Sequence, residues 1–218
     1  MTIIFQIDGG LGKSIMATAI VSAIKKQYPK AYLIVVTPYT TIFANNPKVN
    51  RLIRPDQLNG VYKNHIEGAD CKLFVQDPYG TSDFLLSKKH LLQTWCNMFE
   101  IEYNGELPEF YLSEAEKEYF SPFYRTSKPI MVIHPNGGPV SQPIKYSWTR
   151  DLPQPAVEQV IEKFKDSYDI VHIKRPDQIV YPNTLQATDE IRSIAVLLTM
   201  SKKRLLIDSS SMHLATAL

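Results

Sequence analysis

Residues 3–14 read Ile3-Ile4-Phe5-Gln6-Ile7-Asp8-Gly9-Gly10-Leu11-Gly12-Lys13-Ser14, an apolar run of strand length that stops at closely spaced glycines. Apolar residues then recur at helical spacing from Ile15 to Ile24, so the stretch predicts a strand, a glycine turn and a helix. Glycines let the backbone approach a ligand closely, and the free N–H groups of a helix N-terminus favour an anion. We therefore expect a phosphate or a sugar at this turn, bound by Gly9, Gly10 and Gly12.

The same turn resembles the end of a Walker A loop, because Gly12-Lys13-Ser14 supplies a lysine for phosphate and a hydroxyl for magnesium. The pattern needs a glycine five residues before Gly12, and that position holds Ile7. The signature lysine of the deviant loop is replaced by Asp8. A phosphate-loop NTPase stays open as an alternative, as does a turn whose glycines serve only strand and helix packing.

The amino-acid composition of the chain argues against several classes of protein. The 218 residues, 44% of them hydrophobic, suffice for one large or two small α/β domains. With 24 basic and 22 acidic residues, the chain has no global charge to recruit nucleic acid. Cys71 and Cys96 lack the spacing of a disulfide framework or a zinc site, so no metal is expected. No apolar run reaches transmembrane length, and we expect a cytoplasmic protein.

Predicted strands and helices alternate along the chain in two series. The first series has, after the opening helix, strands at 31–37, near 53, at 73–76 and at 109–112, and helices at 41–45 and 89–99. A capping box formed by Ser113 and Glu116 predicts that another helix begins there. After a polar stretch at 120–129, the second series has strands at 130–134, 170–173 and 205–207 and helices at 155–165, 191–200 and from 211.

Two such series indicate two doubly wound α/β domains with parallel sheets that face each other across a cleft, the usual ligand site of these folds. We assign residues 1–125 to an N-terminal Rossmann-like domain. Residues 126–218 form a C-terminal Rossmann-like domain.

Short motifs along the chain resemble glycosyltransferase family 9, the heptosyltransferase-like enzymes of lipopolysaccharide assembly. Residues 208–218, Asp-Ser-Ser-Ser-Met-His-Leu-Ala-Thr-Ala-Leu, are similar to the family's Asp-Ser-Gly-Pro-Met-His-Leu-Ala-Ala-Ala segment. The opening turn and the Asn46-Pro47-Lys48-Val49 step follow the family's order. Residues 133–138 look like its His-Pro-Gly turn, and Lys145 with Trp148 looks like its Lys-x-Trp element.

The resemblance implies a GT-B fold and metal-independent, inverting transfer of a sugar from a nucleotide-diphosphate sugar to a glycan or lipopolysaccharide-type acceptor. It implies no cofactor besides the donor, an acceptor side in the first domain, and peripheral contact with a membrane-bound acceptor. Adenosine diphosphate heptose is the family's usual donor. Since the family continues with further strands and helices after the segment at 208–218, the second domain is expected to be incomplete.

The implied donor site lies in the second domain and comprises Asn136, Gly137, Asp208, Ser209, Ser210, Ser211 and His213. The serines put hydroxyls and helix N–H groups at the end of a strand, a position suited to a diphosphate. His213 would donate to a phosphate, and Lys145 would neutralise charge on the departing nucleotide. Residues 175–178 lie where such folds often hold the nucleoside. A packed histidine and an exposed loop lysine are the structural alternatives.

Lys13 occupies the position of the aspartate proposed as the family's catalytic base. A charged ammonium has no lone pair to accept a proton, so a lysine does not inherit that role. We predict instead that Lys13 binds an anion and that any work of a base falls to Asp8 or to an acceptor that needs little help. A role of Asp8 in capping the turn stays open as the alternative. Ser210 is a second departure, because it replaces a glycine of the family. These departures leave open a nucleotide- or sugar-binding protein of the same fold that does not catalyse transfer.

Overall fold

The structure is a computed structural model that describes residues 1–137, 150–188 and 190–218. In chain order its regular elements are β1 (Thr2–Gln6), α1 (Leu11–Gln27), β2 (Tyr32–Val36), α2 (Thr40–Phe43), β3 (Arg51–Ile53), β4 (Cys71–Phe74), α3 (Ser82–Leu85), α4 (Leu91–Met98), α5 (Glu114–Phe120), β5 (Ile130–His134), α6 (Gln154–Phe164), β6 (Asp169–Ile173), β7 (Leu185–Ala187), α7 (Ile191–Met200), β8 (Lys203–Leu206) and α8 (Ser210–Ala217). Short 3₁₀ turns lie at Pro55–Gln57, Pro78–Gly80 and Ser121–Tyr124, and a π-helical turn at Tyr62–Ile66. Lys145 and Trp148 lie outside the described residues.

The first compact unit comprises Met1–Tyr111 with Ala217. Its four strands are parallel and lie in the order β3-β2-β1-β4, with Ile4 opposite Ile34 on one side and Leu73 on the other. The central strands are almost wholly apolar because both of their faces are covered. Parallel strands end at the same edge of a sheet, so the loops after β1 and β4 lie next to each other.

Aromatic side chains fill one side of this sheet. The ring of Phe5 on β1 lies 5.6 Å from Trp95 and 5.7 Å from Phe99, and Phe74 on β4 stacks on Phe99 at 4.5 Å. These contacts hold α4 against the strands, as the apolar face of the predicted helix indicated. They also bring Trp95 close to the start of α1.

The second unit comprises Leu112–Thr216 with Leu218. Its strands are again all parallel, in the order β7-β6-β5-β8. A core of Met131, Ile133, Val157, Ile161, Ile170 and Tyr181 lies between this sheet and α6. No helix in the described ranges of either unit has the length and apolarity needed to cross a bilayer.

The division between the units falls after Tyr111, earlier than the predicted domain boundary after residue 125. The capping box at the start of α5 is present, because Ser113 accepts from the amide of Glu116 at 3.2 Å and Glu116 accepts from the amide of Ser113 at 2.8 Å. Glu116 also forms an ion pair with Arg192 of α7. This pair joins α5 to α7 within the second unit. The predicted domain limits themselves stay a prediction.

The strand predicted at residues 109–112 is wrong. This segment has no regular structure. The amide of Phe110 donates to the carbonyl of Ala217 in α8 at 3.0 Å, where a strand would bond to a neighbouring strand. The amide of Glu109 donates to the hydroxyl of Thr18 at 2.8 Å, and its carboxylate accepts from Lys48 and from Tyr111. Those bonds fasten the segment to α1.

Candidate functional site

The glycine turn lies at the carboxyl edge of the first sheet. The amide of Ile7 still bonds to the carbonyl of Val36 at 2.8 Å, and the chain then turns through Gly9, whose φ of +101° suits glycine alone. Gly10 is the N-cap of α1, and nothing lies within 4 Å of the place where its Cβ would be. The predicted order of strand, turn and helix is confirmed, with Gly12 in the first turn of α1.

Lys13 folds back over this turn and is only 8% exposed. Its Nζ lies 2.7 Å from Oδ2 of Asp77, a residue in the loop after β4. The same ammonium is 5.5 Å from the ring centroid of Tyr79 and 5.4 Å from that of Trp95, within the range of cation–π attraction. The charge that the sequence assigned to an anionic ligand therefore has a carboxylate partner within its own unit.

Hydrogen bonds hold the carboxylate of Asp77, which is nevertheless open to solvent. Its Oδ1 accepts from the amide of Tyr79 at 3.0 Å, yet its side chain is 56% exposed. Burial acts to raise the pKa of Asp77, but the hydrogen bonds from Lys13 and Tyr79 and the charge of Lys13 outweigh burial and lower the pKa. Asp77 was not predicted, because it follows the edge strand β4 and belongs to no motif. The signal available was the need of a lysine at position 13 for a counter-charge.

Asp8, the residue predicted to act as the base, lies exposed just after β1. Its carboxylate accepts long hydrogen bonds, at 3.3 and 3.4 Å, from the side-chain amide of Gln6. Its side chain is therefore loosely held, and its role as a base stays a prediction.

A histidine and a serine join two strands at the carboxyl edge of the second sheet. Nδ1 of His134, the last residue of β5, lies 3.0 Å from Oγ of Ser209, the N-cap of α8. Burial lowers the pKa of His134 to about 4, against the opposing charge of Asp151. A neutral imidazole at neutral pH thus fixes the start of α8 against β5. His134 belongs to the motif at residues 133–138, but the sequence predicted no role for its side chain.

The turn after β5 brings Asn136 and Gly137 to the same edge. The amide of Gly137 donates to Oδ1 of Asp151 at 2.8 Å, and a Cβ at Gly137 would lie only 3.1 Å from the Cδ1 of Ile207. Asn136 Oδ1 is buried and has no hydrogen-bond partner among the residues that the structure describes. A buried acceptor of this kind is normally satisfied, so Asn136 is a candidate contact for a ligand.

The residues predicted around α8 lie together in the second unit. Nε2 of His213 is 3.7 Å from Oδ1 of Asp208, and burial lowers the pKa of His213 while Asp208 acts to raise it. The carbonyl of Asp208 accepts from Arg150 at 3.0 Å. Ser210 is half-buried, whereas Ser211 is buried, so the hydroxyl of Ser211 is the less accessible of the two. Lys145 cannot be placed, as it is not among the described residues.

Polar residues beneath the predicted nucleoside region were not foreseen. His172 is completely buried on β6, its ring 5.2 Å from that of Tyr181, and neither ring nitrogen has a hydrogen-bond partner in the described part of the chain. Burial, then the charges of His134 and Lys174, lower the pKa of His172 to about 4. In the sequence, His172 stands among the apolar residues of β6, so no pattern marks it as a buried polar side chain. Within the described ranges, no group of three His, Cys, Asp or Glu side chains is placed to hold a metal ion.

No protein-family model and no curated protein sequence matches the chain. Solved structures do match it, beginning with a glycosyltransferase family 9 protein from Veillonella parvula DSM 2008, which aligns over 99% of this chain and 77% of its own with a TM-score of 0.73 and 15% identity. The ADP-heptose lps heptosyltransferase II of E. coli aligns over 100% of this chain and 82% of its own, with a TM-score of 0.71 and 16% identity. TibC, an iron-containing dodecameric glycosyltransferase from enterotoxigenic E. coli H10407, aligns over 99% and 55%, with a TM-score of 0.67 and 12% identity. The chain therefore has the α/β, GT-B-like fold of the glycosyltransferase family 9 structures, as its motifs predicted.

Proposed function

We propose that the protein is a glycosyltransferase that moves a sugar from a nucleotide-diphosphate sugar to a glycan or lipopolysaccharide-type acceptor. The observation that carries this proposal is the match of the whole chain to glycosyltransferase structures, one of which is named for ADP-heptose. The motif residues predicted to bind the donor also lie together at one edge of the second sheet.

The donor side of the proposal rests on the start of α8. The amides of Met212 and His213 bond to the carbonyl of Ser209, and the Ser209 hydroxyl bonds to His134. The first amides of the helix, at Ser210 and Ser211, precede these bonded amides and belong to the end of a helix that attracts an anion. We assign the diphosphate of the donor to this helix start, with His213 and Asn136 as further contacts.

The proposed reaction is a single displacement that inverts the sugar's anomeric centre and needs no metal. The acceptor hydroxyl attacks the anomeric carbon, and the bond from that carbon to the diphosphate breaks. Helix amides, and Lys145 if it reaches the leaving group, would balance the developing negative charge. Under this proposal the protein works in the cytoplasm, where it extends a lipopolysaccharide-type acceptor, and it uses no cofactor besides the donor.

Binding of nucleotide-diphosphate sugars tests the proposal. Thermal unfolding is measured with a panel of donors that differ in base and sugar, ADP-heptose included, and release of the nucleoside diphosphate is then followed with glycan acceptors. A true donor at 100 times its Kd stabilises the fold by about 2.7 kcal/mol. His213→Ala should weaken donor binding by about 1 to 3 kcal/mol if it removes a charge-assisted hydrogen bond. A complete panel that leaves the unfolding temperature unchanged would contradict the proposal.

The second candidate is a nucleotide- or sugar-binding protein that does not catalyse transfer, and the replacement of the family's aspartate by Lys13 favours it. Donor binding without transfer or hydrolysis, over a wide range of acceptors, would establish this candidate. The NTPase alternative needs Lys13 to bind phosphate, and the 2.7 Å ion pair with Asp77 argues against that role. Magnesium-dependent ATP turnover that disappears in Lys13→Ala would restore it.

A further inference from the structure

We propose that Asp77 is the general base of sugar transfer in this protein and that Lys13 is the residue that positions it. The inference rests on the proposed function, because it assigns a role within that reaction. It replaces both predictions for the glycine turn, namely that Asp8 is the base and that Lys13 binds an anion.

A general base needs an open lone pair, a negative charge at working pH and a fixed position. A carboxylate offers about four lone-pair sites, and Asp77 uses one on Oδ2 for Lys13 and one on Oδ1 for the amide of Tyr79. Both oxygens therefore keep a lone pair, and the half-exposed side chain lets an incoming hydroxyl reach it. The ammonium of Lys13 keeps the carboxylate ionised.

The place of Asp77 in the fold is suited to this role. Phe5 of β1 pairs with Phe74 of β4, so the loops that follow these two strands leave the sheet side by side. The Lys13 side chain bridges the loops, because its Cδ passes 3.2 Å from the position of a Cβ at Gly9 while its Nζ bonds to Asp77. The carboxylate thus borders the open glycine turn where a sugar is expected.

Two other carboxylates of the first unit are less suited. Within the described ranges, the bonds that hold Asp8 are long ones of 3.3 and 3.4 Å from Gln6. Glu109 already accepts bonds from Lys48, Ser22 and Tyr111, which occupy its oxygens within the anchor of residues 109–111 on α1. Asp77 combines a firm position with access to solvent.

The proposed step balances without an added reactant. As the oxygen of the acceptor forms its bond to the anomeric carbon, its proton moves to an open lone pair of Asp77. The bond from the anomeric carbon to the diphosphate oxygen breaks, and its electron pair leaves with the nucleoside diphosphate. The protonated carboxyl then returns its proton to water.

Asp77→Asn tests the assignment with the donor and acceptor that give the fastest transfer. Loss of a general base lowers kcat by roughly 100-fold or more, and the donor Kd, set in the second unit, should stay within about twofold. Asp83→Asn is the matched control, since Asp83 lies in the same unit and pairs with Lys89 at 2.7 Å. This control should transfer sugar at nearly the parental rate.

Lys13→Met tests the positioning role. Without the ammonium, the pKa of Asp77 rises, so the acidic limb of the pH profile of kcat should move to higher pH, and Lys13→Arg should restore much of the shift. If Asp77→Asn does not fold, because the buried lysine has lost its partner, sugar transfer is measured in the double variant Lys13→Met with Asp77→Asn. The double variant has no unpaired buried charge, so the test of Asp77 stays valid.

The outcomes separate this inference from the proposed function. Folded Asp77→Asn that transfers within about threefold of the parental rate would overturn the assignment of Asp77 and leave the glycosyltransferase intact. A pH profile that is unchanged in Lys13→Met would overturn the positioning role. A parent protein that binds donors but transfers nothing would refute the base and establish the binding protein, and one that binds no donor would refute the proposed function itself.

Discussion

A lysine as buried as Lys13 needs a counter-charge, because an unpaired ammonium away from water is costly. Asp77 provides it across 64 residues of sequence, and the rings of Tyr79 and Trp95 flank the same charge. The pair is asymmetric, because its cation is enclosed while its anion meets solvent. Removing the carboxylate of Asp77 and removing the charge of Lys13 should therefore have different effects on the free energy of unfolding.

We predict that Asp77→Asn lowers the free energy of unfolding by about 1 to 3 kcal/mol, since it leaves the lysine buried without a charged partner. The double variant Lys13→Met with Asp77→Asn should regain most of that loss, because a methionine of similar length has no charge to desolvate. Urea unfolding followed by circular dichroism measures both. A double variant less stable than Asp77→Asn would show that packing of the lysine stem, and not its charge, dominates.

Two buried histidines should make the second unit sensitive to acid. Burial lowers the pKa of His134 and of His172 from 6.5 to about 4 in the folded protein, whereas the unfolded chain keeps the ordinary value. Between these values the unfolded chain binds more protons than the folded one. The free energy of unfolding therefore falls as the pH drops from about 6.5 towards 4.

His172→Phe tests this pH dependence, because phenylalanine keeps the ring contact with Tyr181 and takes up no proton. We expect the urea midpoint to fall less between pH 7.5 and pH 5 in this variant than in the parent. His65→Phe serves as the control, since it replaces a histidine of the first unit whose ring contacts Arg51. Equal falls in His172→Phe and in the parent would contradict the assignment.

Among the elements, α5 shows how a local signal and a long-range contact combine. Its capping box closes the first turn, and the Glu116 of that box also receives Arg192 from α7. The hydrogen bond from Arg192 lowers the pKa of Glu116 to about 2, with the Ser113 bonds acting in the same direction against burial. The capping of α5 and the packing of α5 against α7 therefore both depend on the carboxylate of Glu116.

Ser113→Ala should lower the free energy of unfolding by about 1 kcal/mol through loss of the cap, and Glu116→Gln by more, because it also weakens the ion pair. Thermal or urea unfolding at pH 7 gives both values. Glu118→Gln, an exposed position on the same helix, is the control and should change little. An order of effects with Ser113→Ala the larger would mean that the ion pair with Arg192 adds no stability.

The elements that the sequence predicted best are those whose burial imposes a pattern. Central parallel strands such as β1 and β2 have two covered faces and read as unbroken apolar runs. The short edge strand β7, Leu185–Ala187, is exposed at two of its three residues, so no such pattern marks it. The motif at the start of α8 predicted the residues that we assign to the proposed donor side. Asp77 escaped prediction because its partner is distant in the chain.

At the scale of the whole molecule, each unit has its own parallel sheet and its own core. The residues proposed to bind the donor belong to the second unit, and the Lys13–Asp77 pair belongs to the first. The two substrates of the proposed reaction are thus assigned to separate compact bodies. Ligand binding can be mapped to one body or the other.

Hydrogen exchange with ADP as the probe tests this assignment. We predict slower amide exchange at residues 134–137 and 207–213, with the strands of the first unit unchanged, because a bound diphosphate stabilises the local structure that it contacts. Mass spectrometry of peptides from both units gives the map. Protection confined to residues 9–14 would place the nucleotide at the glycine turn and favour the NTPase alternative.

The position of Trp95 makes its fluorescence sensitive to the Lys13–Asp77 pair. Its indole is almost fully enclosed and lies 5.4 Å from the Lys13 ammonium, so its excited state responds to the electric field of that charge. The chain has one other tryptophan, Trp148, and replacing it with phenylalanine leaves Trp95 as the sole indole fluorophore. The wavelength or yield of its fluorescence should then change when the Lys13–Asp77 pair opens or a sugar binds beside it. No added dye is needed.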